Sequence, residues 1–224
     1  MYQDIEYIVI DGNSTDDTVS IIKEYEKKFN FRLRWISEPD NGIYDAMNKG
    51  IKMAKGEVIG ILNADDFYAS EKVLENVYNT IYKYNVDSCY GNLLYIKNKR
   101  PYRYWIAGDQ KSFKYGWMPP HPCFFVKRSV YEKYGYFRLD CGTAADYELM
   151  LRFLEKEKIS TKWINKLFVN MSIGGISNNS ISSRLKAMVN DKKGWNDNNL
   201  KPYFFTLFLK KLLKTPQYFQ ALKV

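Results

Sequence analysis

Residues 5–29, IEYIVIDGNSTDDTVSIIKEYEKKF, decide the fold. Ile5 to Ile10 is a short apolar run rich in β-branched residues, the pattern of a buried strand. Asp11-Gly12-Asn13 breaks it with turn residues, and Ser14 or Thr15 is placed to cap a helix. Val19, Ile22, Tyr25 and Phe29 then recur at helical spacing, and Leu33 to Ile36 supplies a second strand. The unit repeats further on. Ile43, Met47, Ile51 and Ala54 mark one helix face that Gly56 closes, Val58 to Leu62 reads as a third strand, and Val73, Val77, Ile81 and Tyr84 mark another helix. Alternating strands and helices predict an α/β layer fold with a mostly parallel central sheet flanked by helices. Ligands bind such sheets beyond the carboxyl ends of the strands, where the Asp11 and Asp65-Asp66 loops fall.

The second half of the chain is more irregular. Lys97-Asn98-Lys99 is a turn between Leu93–Ile96 and Tyr102–Trp105, and Pro119-Pro120-His121-Pro122 leads into a strand at Cys123–Val126. Arg128 to Tyr134 is a short helix closed by Gly135, and Ala144 to Glu148 opens another with Leu149, Phe153 and Leu154 inward. Trp163 to Val169 is a last strand, followed by a loop over Ser172–Asn179 and then by helices broken at Pro202 and Pro216.

Composition narrows the class. The chain has 224 residues, 46% hydrophobic and 26% charged, which fits one folded domain with an extension and excludes disorder. No apolar run is long enough to span a bilayer, and the acidic start MYQDIEY is unlike a secretory signal, so a cytoplasmic protein is expected. Three cysteines without CxxC spacing point to neither a disulfide framework nor a zinc site. The net charge of +9 is unevenly spread: residues 180–224 hold nine Lys and Arg against two Asp, leaving +2 for the remainder.

Several residues carry chemistry. Asp65, Asp66 and the Asn63 amide end an apolar run and can hold a hard divalent cation through oxygen, although an Asp pair can equally cap the next helix. Asp146 follows the small residues Gly142 to Ala145 and can act as a general base or simply complement a helix dipole. His121, the single histidine, has no partners in sequence for a metal cluster or triad. Phosphate loops of the GxGxxG and GxxxxGK[ST] kinds are absent, and no nucleic-acid motif accompanies the basic tail.

Together, VIDGNSTDDT (9–18), DNGIYDAMNKGIKMAKGEVIGILNADD (40–66) and the segment from His121 to Arg152 containing AADYELMLR resemble bacterial family-two glycosyltransferases of the GT-A fold. The resemblance implies inverting transfer of a sugar from a nucleoside-diphosphate donor, of the UDP kind, to a hydroxyl of a glycan or lipid-linked acceptor in surface polysaccharide assembly. It implies that Asp11 and Asp65 contact the nucleotide, that Asp66 binds Mg²⁺ or Mn²⁺, and that Asp146 deprotonates the acceptor. It also implies that Asp40, Gly42, Tyr44, Asn48 and Gly50 line the donor pocket, with His121 on the acceptor side; the GGIS stretch (174–177) looks familial and is given no role. Family members open with a strand and a Pro-x-Tyr-Asn loop ahead of the segment at Ile5. Residues 1–179 are therefore expected to form the transferase domain without its first strand, leaving unpaired sheet edges.

Residues 180–224 form the expected tail. Tyr203, Phe204, Leu207, Phe208, Leu212 and Leu213 alternate with Lys201, Lys210, Lys211 and Lys214, which fits a helix on an anionic membrane surface or one packing its apolar face on the domain. The alternative to an enzyme is a non-catalytic scaffold of the same fold, and nucleic acid is not an expected partner.

Overall fold

The computed structural model describes residues 4–30, 32–173 and 181–223, with 181–187 and 223 as backbone. Strand β1 (Tyr7–Asp11), helix α1 (Thr18–Lys28) and strand β2 (Leu33–Ser37) form the first unit, with β1 and β2 parallel in register Tyr7↔Leu33 to Asp11↔Ser37. Helix α2 (Ile43–Met53), β3 (Val58–Ile59), β4 (Phe67–Tyr68) and α3 (Val73–Tyr84) follow. Then come β5 (Ser88–Lys97), β6 (Arg100–Trp105), β7 (Phe124–Lys127), α4 (Arg128–Tyr134), α5 (Ala145–Leu151) and β8 (Thr161–Ser172). The last helices are α6 (Ile181–Asp197), α7 (Thr206–Leu212) and α8 (Thr215–Gln220).

The α/β class stands, but the mostly parallel sheet is corrected. A larger sheet runs β3-β7-β5-β8-β4 with β6 on β5, and in it only β5 and β8 are parallel. The β3–β7, β5–β7, β4–β8 and β5–β6 pairs are antiparallel. The strand–helix alternation read from the first half does set β1 parallel to β2. It does not extend to β6, which returns through a tight turn with Asn98 and Lys99 at φ 50° and 61°, as a two-residue hairpin requires.

β1 and β2 stand as a separate two-stranded sheet. Among the described residues β1 has a strand partner on one side only, as does β3. Glu6 ties the small sheet to the rest: its Oε1 accepts from Lys55 N at 2.6 Å and Gly56 N at 3.0 Å, and its Oε2 pairs with Arg34 at 2.6 Å.

Two local expectations change. Ser14 does not cap α1; it bonds back to Asp11, and Thr18 N takes Asp16 Oδ1 instead. The strand expected over Val58–Leu62 stops at Ile59, since only β7 pairs with it, and β4 was not foreseen. The helix breaks expected at the prolines do occur: Pro202 separates α6 from α7, and Pro216 sits in the first turn of α8, just after α7 ends, where its missing N–H costs nothing. The GGIS stretch lies outside the described residues.

The core lies on both faces of β5. Cys89, Leu93, Phe125 and Phe168 pack under α3, while Tyr90, Phe113, Leu149, Met150 and Trp195 pack under α5 and α6. A buried ion pair, Arg152 to Glu148, is completed by the Tyr134 and Tyr136 carbonyls and by Asn198 Nδ2 on Glu148, which locks α5 to α6. With these partners the pair meets the condition for a tolerable buried charge.

Candidate active site

Asp11 ends β1 and is buried, and its carboxylate is already engaged. Oδ2 accepts from Ser14 N at 3.0 Å and Ser37 Oγ at 2.6 Å, and Oδ1 accepts from Ser14 Oγ at 2.5 Å. The Ser14 and Ser37 hydroxyls hold its carboxyl below the usual carboxylate range. Asp40 closes the same loop cluster. Its Oδ1 accepts from Gly42 N at 2.8 Å, and its Oδ2 is 2.7 Å from where a Cβ on Gly12 would stand. Gly42 begins α2 at φ 103°, a conformation that favours glycine.

α2 carries this cluster toward Asp146. Tyr44, in its first turn, donates from its hydroxyl to the Thr143 carbonyl at 3.4 Å. Burial, and then the Asp146 charge, raise its pKa well above the ordinary phenol range. Asn48, a turn later, exchanges two 2.9 Å bonds with the Phe137 backbone. Gly50 brings α2 onto β1, where a Cβ would stand 3.4 Å from Ile10. Of the expected donor-pocket residues, Tyr44 therefore reaches Asp146, while Asn48 and Gly50 hold α2 in place.

Asp146 opens α5, half-buried, with Oδ1 accepting from Tyr147 N at 2.7 Å. The ring of His121 packs edge-on to Phe137 at 5.4 Å, and Phe137 in turn contacts Tyr44 at 5.4 Å. Burial lowers the His121 pKa, opposed by the Asp146 charge. Tyr44 and His121 thus meet the Phe137 ring from two separate elements.

Asp65 is exposed and Asp66 is buried, next to each other after β3. Asp66 Oδ2 accepts from Asn63 Nδ2 at 2.9 Å, and Oδ1 is buried without a hydrogen-bond partner of good geometry among the described residues, the Ser172 backbone being near enough to favour the charged form. Burial, with the adjacent Asp65 charge, pushes the Asp66 carboxyl up to about 6. An orphaned buried carboxylate oxygen in an all-oxygen donor set fits a hard divalent cation.

A second group, Asp140, Cys141 and Asp197, brings ligand atoms within 4.8 Å of one another. Its carboxylates are neutralised already: Lys193 lies 2.6 Å from both, and Arg138 lies 2.8 Å from Asp140 and 3.1 Å from Asp197. It is an ion-pair cluster fastening the 139–144 turn to α6.

The sequence reading passed over Ser37, which only the β1–β2 register brings to Asp11. It also missed Lys210, whose Nζ pairs with Asp191 at 2.7 Å and sits 3.5 Å over the Tyr147 ring. Both are contacts between distant segments.

Known proteins resemble this chain in sequence and in fold. The chain is 34% identical over 159 residues to an uncharacterised glycosyltransferase of Mycobacterium tuberculosis, covering 66% of this chain and 56% of that protein. It is 27% identical over 177 residues to a PGL/p-HBAD biosynthesis glycosyltransferase of Mycobacterium bovis, covering 78% of this chain and 68% of the relative. The chain thus spans little more than half the length of the first of these relatives. The crystal structure of S. aureus TarS residues 1–349 in complex with UDP-GlcNAc superposes with TM-score 0.60 at 16% identity, over 99% of this chain and 72% of that one. That likeness shows a shared GT-A fold. The family model for glycosyl transferase family 2 matches residues 1–136, more than half of the sequence, and the chain belongs to that family.

Proposed function

We propose that the chain transfers a sugar, with inversion, from a UDP-type donor to a hydroxyl of a glycan or lipid-linked acceptor in bacterial surface polysaccharide assembly, of the lipopolysaccharide or capsule kind. One observation supports this most: buried Asp66, beside exposed Asp65, has an oxygen without a hydrogen-bond partner among the described residues. Asp66 would hold Mg²⁺ or Mn²⁺, with Asp65 and Asp11 toward the nucleotide. A bound cation supplies neutralisation of the diphosphate leaving group.

The remaining chemistry belongs to the side chains. Asp146 accepts the proton of the acceptor hydroxyl as that oxygen bonds to the anomeric carbon and the nucleoside diphosphate departs from the opposite face. Tyr44, kept protonated by burial and by Asp146, donates to the Thr143 carbonyl just ahead of the base. His121, kept neutral by burial, shapes the acceptor side against Phe137.

The tail supports a cytoplasmic enzyme held at the inner face of the plasma membrane. α7 and α8 dock through polar and aromatic contacts rather than through an apolar stripe. Thr206 is fully buried and donates to the Lys114 carbonyl at 2.6 Å, and Gly116, at φ 77°, lets the α7 backbone approach to where a Cβ would be 2.4 Å from Lys210 N. The apolar side faces outward, with Phe204 99%, Phe208 65%, Phe219 67% and Leu222 84% exposed. Residues 198–224 contain five Lys and no Asp or Glu, which complements anionic lipid. No helix among the described residues is long and apolar enough to cross the bilayer.

A second reading, a scaffold of the same fold, is favoured by the small sheet. Asp11 lies on a two-stranded sheet that, among the described residues, shares no strand pairing with the sheet beside Asp65 and Asp66. Mn²⁺-dependent binding of UDP separates the two, because the scaffold binds no nucleotide through metal.

A further inference from the structure

Tyr147, the residue after Asp146, is held from three directions outside its own helix. It is buried, its ring lies 5.7 Å from that of Phe113, and its hydroxyl accepts from Trp195 Nε1 at 2.9 Å. The third contact comes from the tail, where Lys210 of α7 places Nζ 3.5 Å over the ring. The same ammonium pairs with Asp191 of α6 at 2.7 Å. Asp191 and Trp195 are four residues apart and so share a face of that helix.

Lys210 is fixed at both ends. Its backbone nitrogen lies against Gly116, which closes the Phe113–Tyr115 turn that supplies the Phe113 ring. Its Nζ is anchored by an Asp191 side chain that is only 11% exposed. A buried ion pair contributes little net stability, because desolvation offsets the attraction, and Thr206 already fastens α7 to the Lys114 carbonyl. What the pair adds is direction: it aims a largely desolvated cation at one face of the Tyr147 ring.

That ring leads to the proposed base. Tyr147 N donates to Asp146 Oδ1 at 2.7 Å, so the Tyr147 backbone and the Asp146 carboxylate are tied together. A displacement of about 1 Å at a reacting group costs on the order of 10²-fold in rate. We propose that Lys210 is a positioning residue for Asp146, holding the first turn of α5 through the Tyr147 ring; this rests on the glycosyl-transfer reading above. The catalytic machinery then reaches past residue 179, and the helix whose Phe208 faces outward also braces the base.

NMR of the full chain, labelled with ¹⁵N and with ¹³C at the aspartate carboxyls, reads both ends of the Tyr147–Asp146 bond, with Asp146 assigned through Asp146→Asn. Lys210→Met keeps the stem and removes the charge. Adding Asp191→Asn leaves no buried charge alone, so the double variant folds, and it keeps the local net charge of the wild type. In both variants the Tyr147 amide is expected to exchange about tenfold faster and the Asp146 carboxyl resonance to move, with the Asp11 resonance in place. Lys210→Arg, which keeps a cation over the ring, stays close to the wild type in both readings. UDP–Mn²⁺ binding by calorimetry is unchanged throughout. Wild-type exchange at Tyr147 and a wild-type Asp146 resonance in the double variant overturn the positioning role while UDP binding stands. Equal disturbance by Lys210→Arg and Lys210→Met overturns it as well. No UDP–Mn²⁺ binding in the wild type contradicts the transfer reading instead, and the positioning role falls with it.

Discussion

Asn48 and Phe137 hold each other through two hydrogen bonds, Nδ2 to the Phe137 carbonyl and Phe137 N to Oδ1, both 2.9 Å, across 89 residues of sequence. This pair fixes α2 against the segment that leads to Asp146, and it sits one turn from Tyr44. Asn48→Ala leaves two backbone groups unpaired in a buried position. A loss of about 2 kcal/mol is expected, and a melting temperature lower by about 4–8 °C. Thermal unfolding followed by circular dichroism measures it, and an unchanged melting temperature would show the clamp to be dispensable.

Asp66 makes stability depend on pH. Its folded carboxyl titrates near 6, above the ordinary 3.8, so the folded state binds the extra proton between those values. Stability without metal therefore falls as pH rises from about 4 to about 6, by about 2–3 kcal/mol at most. Asp66→Asn removes that slope. Adding Mn²⁺ stabilises the wild type more at pH 7 than at pH 5, because the cation must displace the proton. Melting temperatures across pH 4.5–7.5 with and without Mn²⁺ check both signs; an Asp66→Asn profile that keeps the slope would move the titration elsewhere.

Asp146 should separate chemistry from binding. Asp146→Asn keeps nearly the same shape and loses the proton acceptor, so turnover is expected to fall by about 10²–10⁴ with donor affinity unchanged. Full turnover in that variant would remove Asp146 from the base role.

The outward apolar face of α7 and α8 predicts partition onto vesicles. Flotation with anionic liposomes should recover the chain, and with neutral liposomes much less. Phe204→Ser or Phe219→Ser weakens recovery by about tenfold each, since each removes a buried ring's worth of apolar area. Equal recovery on neutral and anionic vesicles would remove the role given to the lysines.

How much could be read from the chain alone differs by element. The strand–loop–helix rhythm of residues 5–29 is local, and it yielded β1, α1 and β2 with the correct parallel pairing. The direction of the larger sheet depends on which distant strands meet, as when β7 slots between β3 and β5, and no local period encodes that. The acids at strand and helix ends were visible because turns expose them in sequence as well as in space. Ser37 on Asp11, the Asn48–Phe137 clamp and the Arg103–Tyr218 stack were invisible, because each joins residues that only the tertiary fold brings together. The tail shows the limit of pattern reading in another way. Its apolar and basic residues were legible, but which face it turns to the domain is set by Thr206, Gly116 and Lys210, residues that an amphipathic pattern ignores.

Calorimetric titration with UDP, in Mn²⁺ and again in EDTA, bears most directly on the central claim that Asp66 holds a cation for a nucleoside-diphosphate donor. The account predicts binding in Mn²⁺ that disappears in EDTA and in Asp66→Ala. No binding under either condition, or the same affinity in EDTA and in Asp66→Ala, would contradict it.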